Sequence, residues 1–148
     1  MFLKELNKEQ GLAFINLVTE FALADENIKK EEEDLIRTYM KELDLEEEEL
    51  GNLSYEESIE TIKNSSEKVK NIVYFELVRI GLVDEDCDIE EVDFLEKISK
   101  DLNISRAKKI QVANCFYNFS EKDGEEKLEE MAKDIIAVSY THLRAHET

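Results

Sequence analysis

Two acid pairs carry the chemistry this chain could do. Asp25 and Glu32 stand seven residues apart, and so do Asp84 and Glu91. Carboxylates and turn carbonyls are hard oxygen ligands, suited to Ca²⁺ or Mg²⁺. Asn27 in the first turn, and Asp86 and Asp88 in the second, are secondary ligand candidates. If the two turns pack side by side, Asp25, Glu32, Asp84 and Glu91 share one place. Carboxylates that close repel each other unless a cation or a proton relieves them. A purely structural account competes with this one. Acids near a helix N-terminus are favoured by the helix dipole, by roughly 0.3–1 kcal/mol each. Asp88 with Glu91 has the spacing of a capping box. Lys29, at the place equivalent to Asp88, cannot cap, which makes Glu32 the more telling residue. A standard EF-hand is excluded. Asp84-x-Asp86-x-Asp88 has the opening rhythm, but the sixth position is Ile89 instead of Gly and the twelfth is Leu95 instead of Glu.

The acidic turns belong to a duplicated segment. Residues 22–45 and 81–104 align without a gap at an offset of 59. The identities are Leu23/Leu82, Asp25/Asp84, Glu26/Glu85, Glu31/Glu90, Glu32/Glu91, Asp34/Asp93, Lys41/Lys100 and Leu43/Leu102, eight of 24 positions. About two would arise by chance in so Glu-rich a chain. Leu35/Phe94, Ile36/Leu95, Tyr39/Ile98 and Leu45/Ile104 are conservative exchanges. The expectation is two related helix–acidic turn–helix units.

Helices must position these turns. Asn7 with Gln10 has the spacing of a capping box and opens a helix to about Ala24, with Phe14, Ile15, Val18 and Phe21 at helical spacing. A second helix runs to about Leu43, with Leu35, Ile36, Tyr39, Met40 and Leu43 on one face. Residues 44–53 read as a Glu-rich connector. Ser54 with Glu57 opens a short helix to about Lys63, and Ser66 opens another to Gly81. The helix after the second acidic turn covers 89–102, with Phe94, Leu95, Ile98 and Leu102 inward. Ser105 starts one through Phe116 and Phe119, and a last begins near Glu125 after Gly124. Phe14, Phe21, Tyr39, Phe75, Phe94 and Phe116 read as core packing. The predicted fold is all-α: a compact bundle of six to seven helices.

Composition agrees. The chain has 148 residues, enough for one domain with a real core. It has no Pro and only 4 Gly, which disfavours a turn-rich strand fold. Its net charge of −18 repels nucleic acid and anionic lipid and suits a cation or a basic protein surface. No apolar run approaches 18 residues, so no membrane insertion is expected. The N-terminus lacks a signal-peptide apolar region, and Cys87 and Cys115 lack CxxC spacing; a reduced, cytoplasmic setting is the expectation.

The last eleven residues, VSYTHLRAHET, match one reading frame of a transposase-type sequencing adapter. Both His residues, His142 and His146, fall there. Residues 1–137 are therefore read as one helical domain and 138–148 as a non-native tail, excluded from functional reasoning.

With both turns and their flanking helices set out, residues 8–119 resemble the TerB-like family, the tellurite-resistance TerB domain related to the N-terminal domain of DjlA-type co-chaperones. The motif is Ala24-Asp25-Glu26-Asn27-Ile28-Lys29-Lys30-Glu31-Glu32 in the first copy and Val83-Asp84-Glu85-Asp86-Cys87-Asp88-Ile89-Glu90-Glu91 in the second. Glu26 and Glu85 stand where the family has Gly, and Cys87 where it has an aliphatic residue. The resemblance implies an all-helical fold, an acidic divalent-cation site, and work in bacterial stress-response or membrane-associated complexes. A J domain is absent from this sequence.

Three functions follow as expectations. The first is a non-enzymatic, cation-responsive scaffold or sensor of TerB type. The alternative is an acidic protein-interaction module without metal, presenting Glu46–Glu49 to a basic partner. An enzyme is the least supported: residues 1–137 hold no His and no Gly-rich phosphate loop, and neither Cys has an adjacent base.

Overall fold

The computed structural model describes residues 2–24, 30–50, 53–82, 89–118 and 124–137. The elements over these residues are α-helices α1 (Lys8–Ala22), α2 (Lys30–Leu43), α3 (Tyr55–Lys63), α4 (Glu67–Leu82), α5 (Ile89–Asp101), α6 (Arg106–Asn118) and α7 (Glu125–Ile136), with short 3-10 turns at Phe2–Glu5 and Glu47–Glu49. No strand occurs among the described residues. The chain is all-α, as its composition and periodicity predict. No described helix is long and apolar enough to cross a membrane.

Local chemistry explains where the helices begin. Asn7 Oδ1 accepts from the Gln10 N–H at 2.8 Å while Gln10 Oε1 accepts from the Asn7 N–H at 2.9 Å. Ser54 and Glu57 make the same reciprocal pair at the start of α3. Ser66 Oγ and Ser105 Oγ accept from Val69 and Lys108 N–H groups at the starts of α4 and α6. Each satisfies donors that the first helical turn leaves without a carbonyl.

Two compact units divide the chain after Ile104. The first holds α1–α5, with α1 at its centre. Ala13, Phe14, Ile15, Leu17, Val18, Phe21 and Ala22 are all buried, so more than half of the circumference of α1 faces the core. It packs on α2, α3, α4 and α5. Gln10 Nε2 donates to Ser65 Oγ and Asn16 Nδ2 to Ser58 Oγ, which sets α1 and α3 antiparallel. Phe14 stacks edge-on with Tyr39 of α2 at 5.2 Å, and Phe21 meets Phe94 of α5 at 6.3 Å. In the second unit α6 packs on α7; the buried residues are Val112, Cys115, Leu128, Ala132 and Ile136.

The duplication is visible in the backbone. Shifted by 59 residues, α1 falls on α4 and α2 on α5, to within a residue at each end. Both second helices end in the same motif. Leu45 N–H bonds Met40 C=O and Asp44 N–H bonds Lys41 C=O; Ile104 and Asn103 repeat this with Ser99 and Lys100. Asp44 has φ 55° and Asn103 φ 59°, the left-handed turn of a Schellman cap. The duplicated unit therefore reaches back to Lys8 and Glu67, although α1 and α4 share no aligned identity.

Some burial differs from the periodic expectation. On α2 only Tyr39 of the predicted face is fully buried; Leu35, Ile36, Met40 and Leu43 are half-covered. The reason is position: α2 lies against α1 and the N-terminal 3-10 turn, so neighbours cover one narrow strip. On α5, Ile98 and Leu102 are buried while Phe94 and Leu95 are half-buried. Phe116 is half-buried as well, and Phe119 lies outside the described residues.

The left-handed caps make a stability prediction. Asp44→Gly and Asn103→Gly should each raise the unfolding free energy by roughly 0.5–1 kcal/mol, because Gly adopts positive φ without a Cβ penalty, and Val at either place should lower it by about 1–2 kcal/mol. Urea titration reads both; Gly and Val responding alike would contradict the cap assignment.

Candidate functional site

Of the candidate ligands, Asp25, Asn27, Asp84, Asp86 and Asp88 lie outside the described residues. Glu32 and Glu91 are described, and they are treated alike. Each is the third residue of its helix, α2 or α5. Glu32 is 1% exposed and Glu91 2%. Helical spacing explains the direction: Glu32 stands seven residues before the buried Tyr39, and Glu91 seven before the buried Ile98, so each heads the inward stripe of its helix.

Capping alone does not require that burial. Glu57 holds the same third position in the box of α3 and is exposed; Gln10, in the box of α1, is half-buried. A third-position acid can serve its helix from the surface. A carboxylate withdrawn from water costs several kcal/mol unless hydrogen bonds or a positive charge compensate it. Helix capping therefore does not explain the depth of Glu32 and Glu91, both of which also interact with other groups of the protein.

The flanks of the two elbows meet. Phe21 sits in the last turn of α1, just before the first elbow, and Phe94 in the second turn of α5, just after the second. Their rings are 6.3 Å apart. The outgoing end of one hairpin therefore touches the incoming end of the other. Among the described residues, no group of three or more His, Cys, Asp or Glu side chains is placed to hold a metal ion.

Two polar arrangements were not foreseen from the sequence. The first ties α1, α3 and α5 together. Tyr55 donates to Asp101 Oδ2 at 2.6 Å, and Lys97 Nζ sits 4.2 Å above the Tyr55 ring. Burial, reinforced by the bond to Asp101, raises the Tyr55 pKa well above the usual phenol range, so the hydroxyl stays a donor. Asn16 Nδ2 reaches Glu20 Oε2 at 3.2 Å and Ser58 Oγ at 2.8 Å. Burial raises the Glu20 pKa, and the charge of Glu56 raises it further; Lys97 and the Asn16 bond oppose both. This is a clamp of fixed protons between helices.

The second lies within α4. Glu76 Oε1 pairs with Arg79 Nε at 3.0 Å, with Glu76 wholly buried and Arg79 nearly so. The guanidinium carbon is 5.6 Å from the Phe75 ring centre, and the Tyr39 hydroxyl donates to the Glu76 carbonyl at 3.4 Å. In the first half, Leu17 occupies the place of Glu76. The available signal was an acid and a base three apart in the otherwise apolar second half of the helix.

Comparison with protein families, with curated proteins and with solved structures finds no match to this chain.

The pH dependence of the clamp can be worked out. A carboxyl with a raised pKa binds its proton more tightly folded than unfolded. Its contribution is favourable at low pH and is lost as pH rises through the raised value. Glu20→Gln keeps the Asn16 bond through the amide oxygen and removes the buried charge. It should raise stability at pH 7 by a few tenths to about 1 kcal/mol, with the gain vanishing near pH 4. Thermal melts across pH 4–8 measure this, and a variant less stable than wild type at pH 7 would contradict it.

Proposed function

We propose that the chain is a non-enzymatic, TerB-like domain that binds a divalent cation, Ca²⁺ or Mg²⁺, at its paired acidic elbows. It acts as a scaffold or sensor in a stress-response system of the tellurite-resistance type, in the cytoplasm. The ligands are Asp25, Glu32, Asp84 and Glu91, with Asn27, Asp86 and Asp88 as secondary oxygens. One observation carries this reading: Glu32 and Glu91, at equivalent places in two duplicated units, are both almost fully withdrawn from water. Acids repeated at equivalent places in two units repel one another where they converge, and a bound cation relieves that repulsion. It also ties the end of α1 to the start of α2, and the end of α4 to the start of α5. Cation binding then stiffens both hairpins, and their changed rigidity is what a partner senses.

The test is thermal. Millimolar Ca²⁺ or Mg²⁺ should raise the melting temperature over a chelated sample by several degrees, by linkage to the folded state. Glu32→Gln with Glu91→Gln should erase the rise. Identical melting with chelator and with metal would remove the cation from the proposal.

A second reading has one observation in its favour. Glu46, Glu47 and Glu48 are exposed beside the 3-10 turn between α2 and α3. An acidic interaction module would use them to meet a basic partner, and capture of that partner would weaken with salt. Charge reversal at Glu46–Glu48 would then matter more than substitution in the elbows.

A further inference from the structure

A groove opens on the first unit. It has a volume of about 570 Å³ and lies along α1, between the segment after the Glu47–Glu49 turn and α3. Leu12, Ile15, Leu50 and Leu53 give it an apolar floor. Glu9 and Glu49 stand at the end nearest the N-terminus of α1, where Glu49 pairs with Lys8 at 2.5 Å. The exposed Glu46, Glu47 and Glu48 adjoin that end in sequence. Among the described residues, no Lys or Arg lines the groove. An apolar trough with an acidic end suits an apolar segment with a cationic end.

The chain itself contains such a segment. α6 carries Arg106, Lys108 and Lys109 in its first turn and no acid at all, in a protein of net charge −18. Lys108 is engaged with the Ile135 carbonyl of α7, while Arg106 is exposed. α7 leaves Ile110 and Tyr117 uncovered, at 51% and 86% exposure. Seven residues apart, they lie on one face of the helix, with the exposed Ala113 and Asn114 between them. Their separation along the axis is about 10.5 Å, and Leu12 to Thr19 on α1 spans the same number of residues and the same rise.

We propose that the groove receives α6 of a second copy of this chain, running parallel to α1. Arg106 meets the acidic end, Ile110 lies over Leu12 and Leu50, and Tyr117 lies near Leu53 with its hydroxyl toward Thr19. The reverse orientation would put the cationic turn at the end where no described acid lines the groove and where Glu20 and Glu56 already share Lys97. Charge complementarity thus selects both the occupant and its direction. The contact is small, so the association is weak, with a Kd on the order of 10–100 µM. It is independent of cation binding at the elbows.

Sedimentation of the full chain from 10 µM to 1 mM tests this. In 50 mM NaCl the mean mass should rise above that of the monomer with concentration, and 500 mM NaCl should weaken the association several-fold. Tyr117→Ser removes the helix anchor and Leu53→Lys spoils the groove; each alone should leave the chain monomeric. Neither residue is core, so the melting temperature should hold in both. Mixing the two variants should restore association, because one brings an intact groove and the other an intact α6. A wild-type chain that stays monomeric at 1 mM overturns the proposal. So does a Leu53→Lys chain that still self-associates, since that contact would not use the groove.

Discussion

A helix apolar over more than half of its circumference cannot remain at a surface, and α1 is such a helix. Phe14, Leu17, Val18 and Phe21 share one face, Ile15 flanks it, and all are buried. Each large side chain gains roughly 1.5–3 kcal/mol from leaving water, and only neighbours over that whole arc can realise the gain. The first unit is organised to supply them. Tyr39 covers Phe14 from α2, Phe94 covers Phe21 from α5, and α3 runs antiparallel along a third side, fixed by the Asn16–Ser58 and Gln10–Ser65 hydrogen bonds. α2 and α5 each pack on the helix that precedes them, and each has an inward glutamate in its first turn.

The two halves share a backbone plan but not one chemistry. Their second helices end in the same left-handed cap and begin with the same buried glutamate. Their first helices hold equivalent places with different side chains. Leu17 in α1 corresponds to Glu76 in α4, where the charge is held by Arg79 three residues on. A buried ion pair is a poor way to gain stability compared with leucine. It is directional, however, and it ties α4 to one rotational setting beside Tyr39. The elbow segments are the part of the plan that both halves keep most closely in sequence, and the glutamates that follow them match in burial.

Much of the local structure was legible in the residues. Asn7, Ser54, Ser66 and Ser105 mark helix starts because a capping bond is made within three residues and needs no distant partner. The repeat over residues 22–45 and 81–104 was legible in identities such as Asp25/Asp84 and Glu32/Glu91. Its extension through α1 and α4 was not, because no aligned residue is shared and only the helix limits correspond. Leu35, Ile36 and Met40 read as core from their spacing but are half-covered, since periodicity gives the direction of a side chain and not the presence of a neighbour. The carboxylates of the candidate site were legible as a motif; the depth at which Glu32 and Glu91 sit was not.

By itself, the amino-acid order determined that this is a helical protein, where most helices begin and end, and that one acidic turn occurs twice. Those properties depend on neighbours within one or two helical turns. Only the tertiary structure decided that α1 is central, that Glu32 and Glu91 are withdrawn from water while Glu57 is not, and that a groove opens beside Leu50 and Leu53. Burial is set by residues far along the chain, as Tyr39 covers Phe14 and Phe94 covers Phe21, and no local pattern encodes which of them arrive.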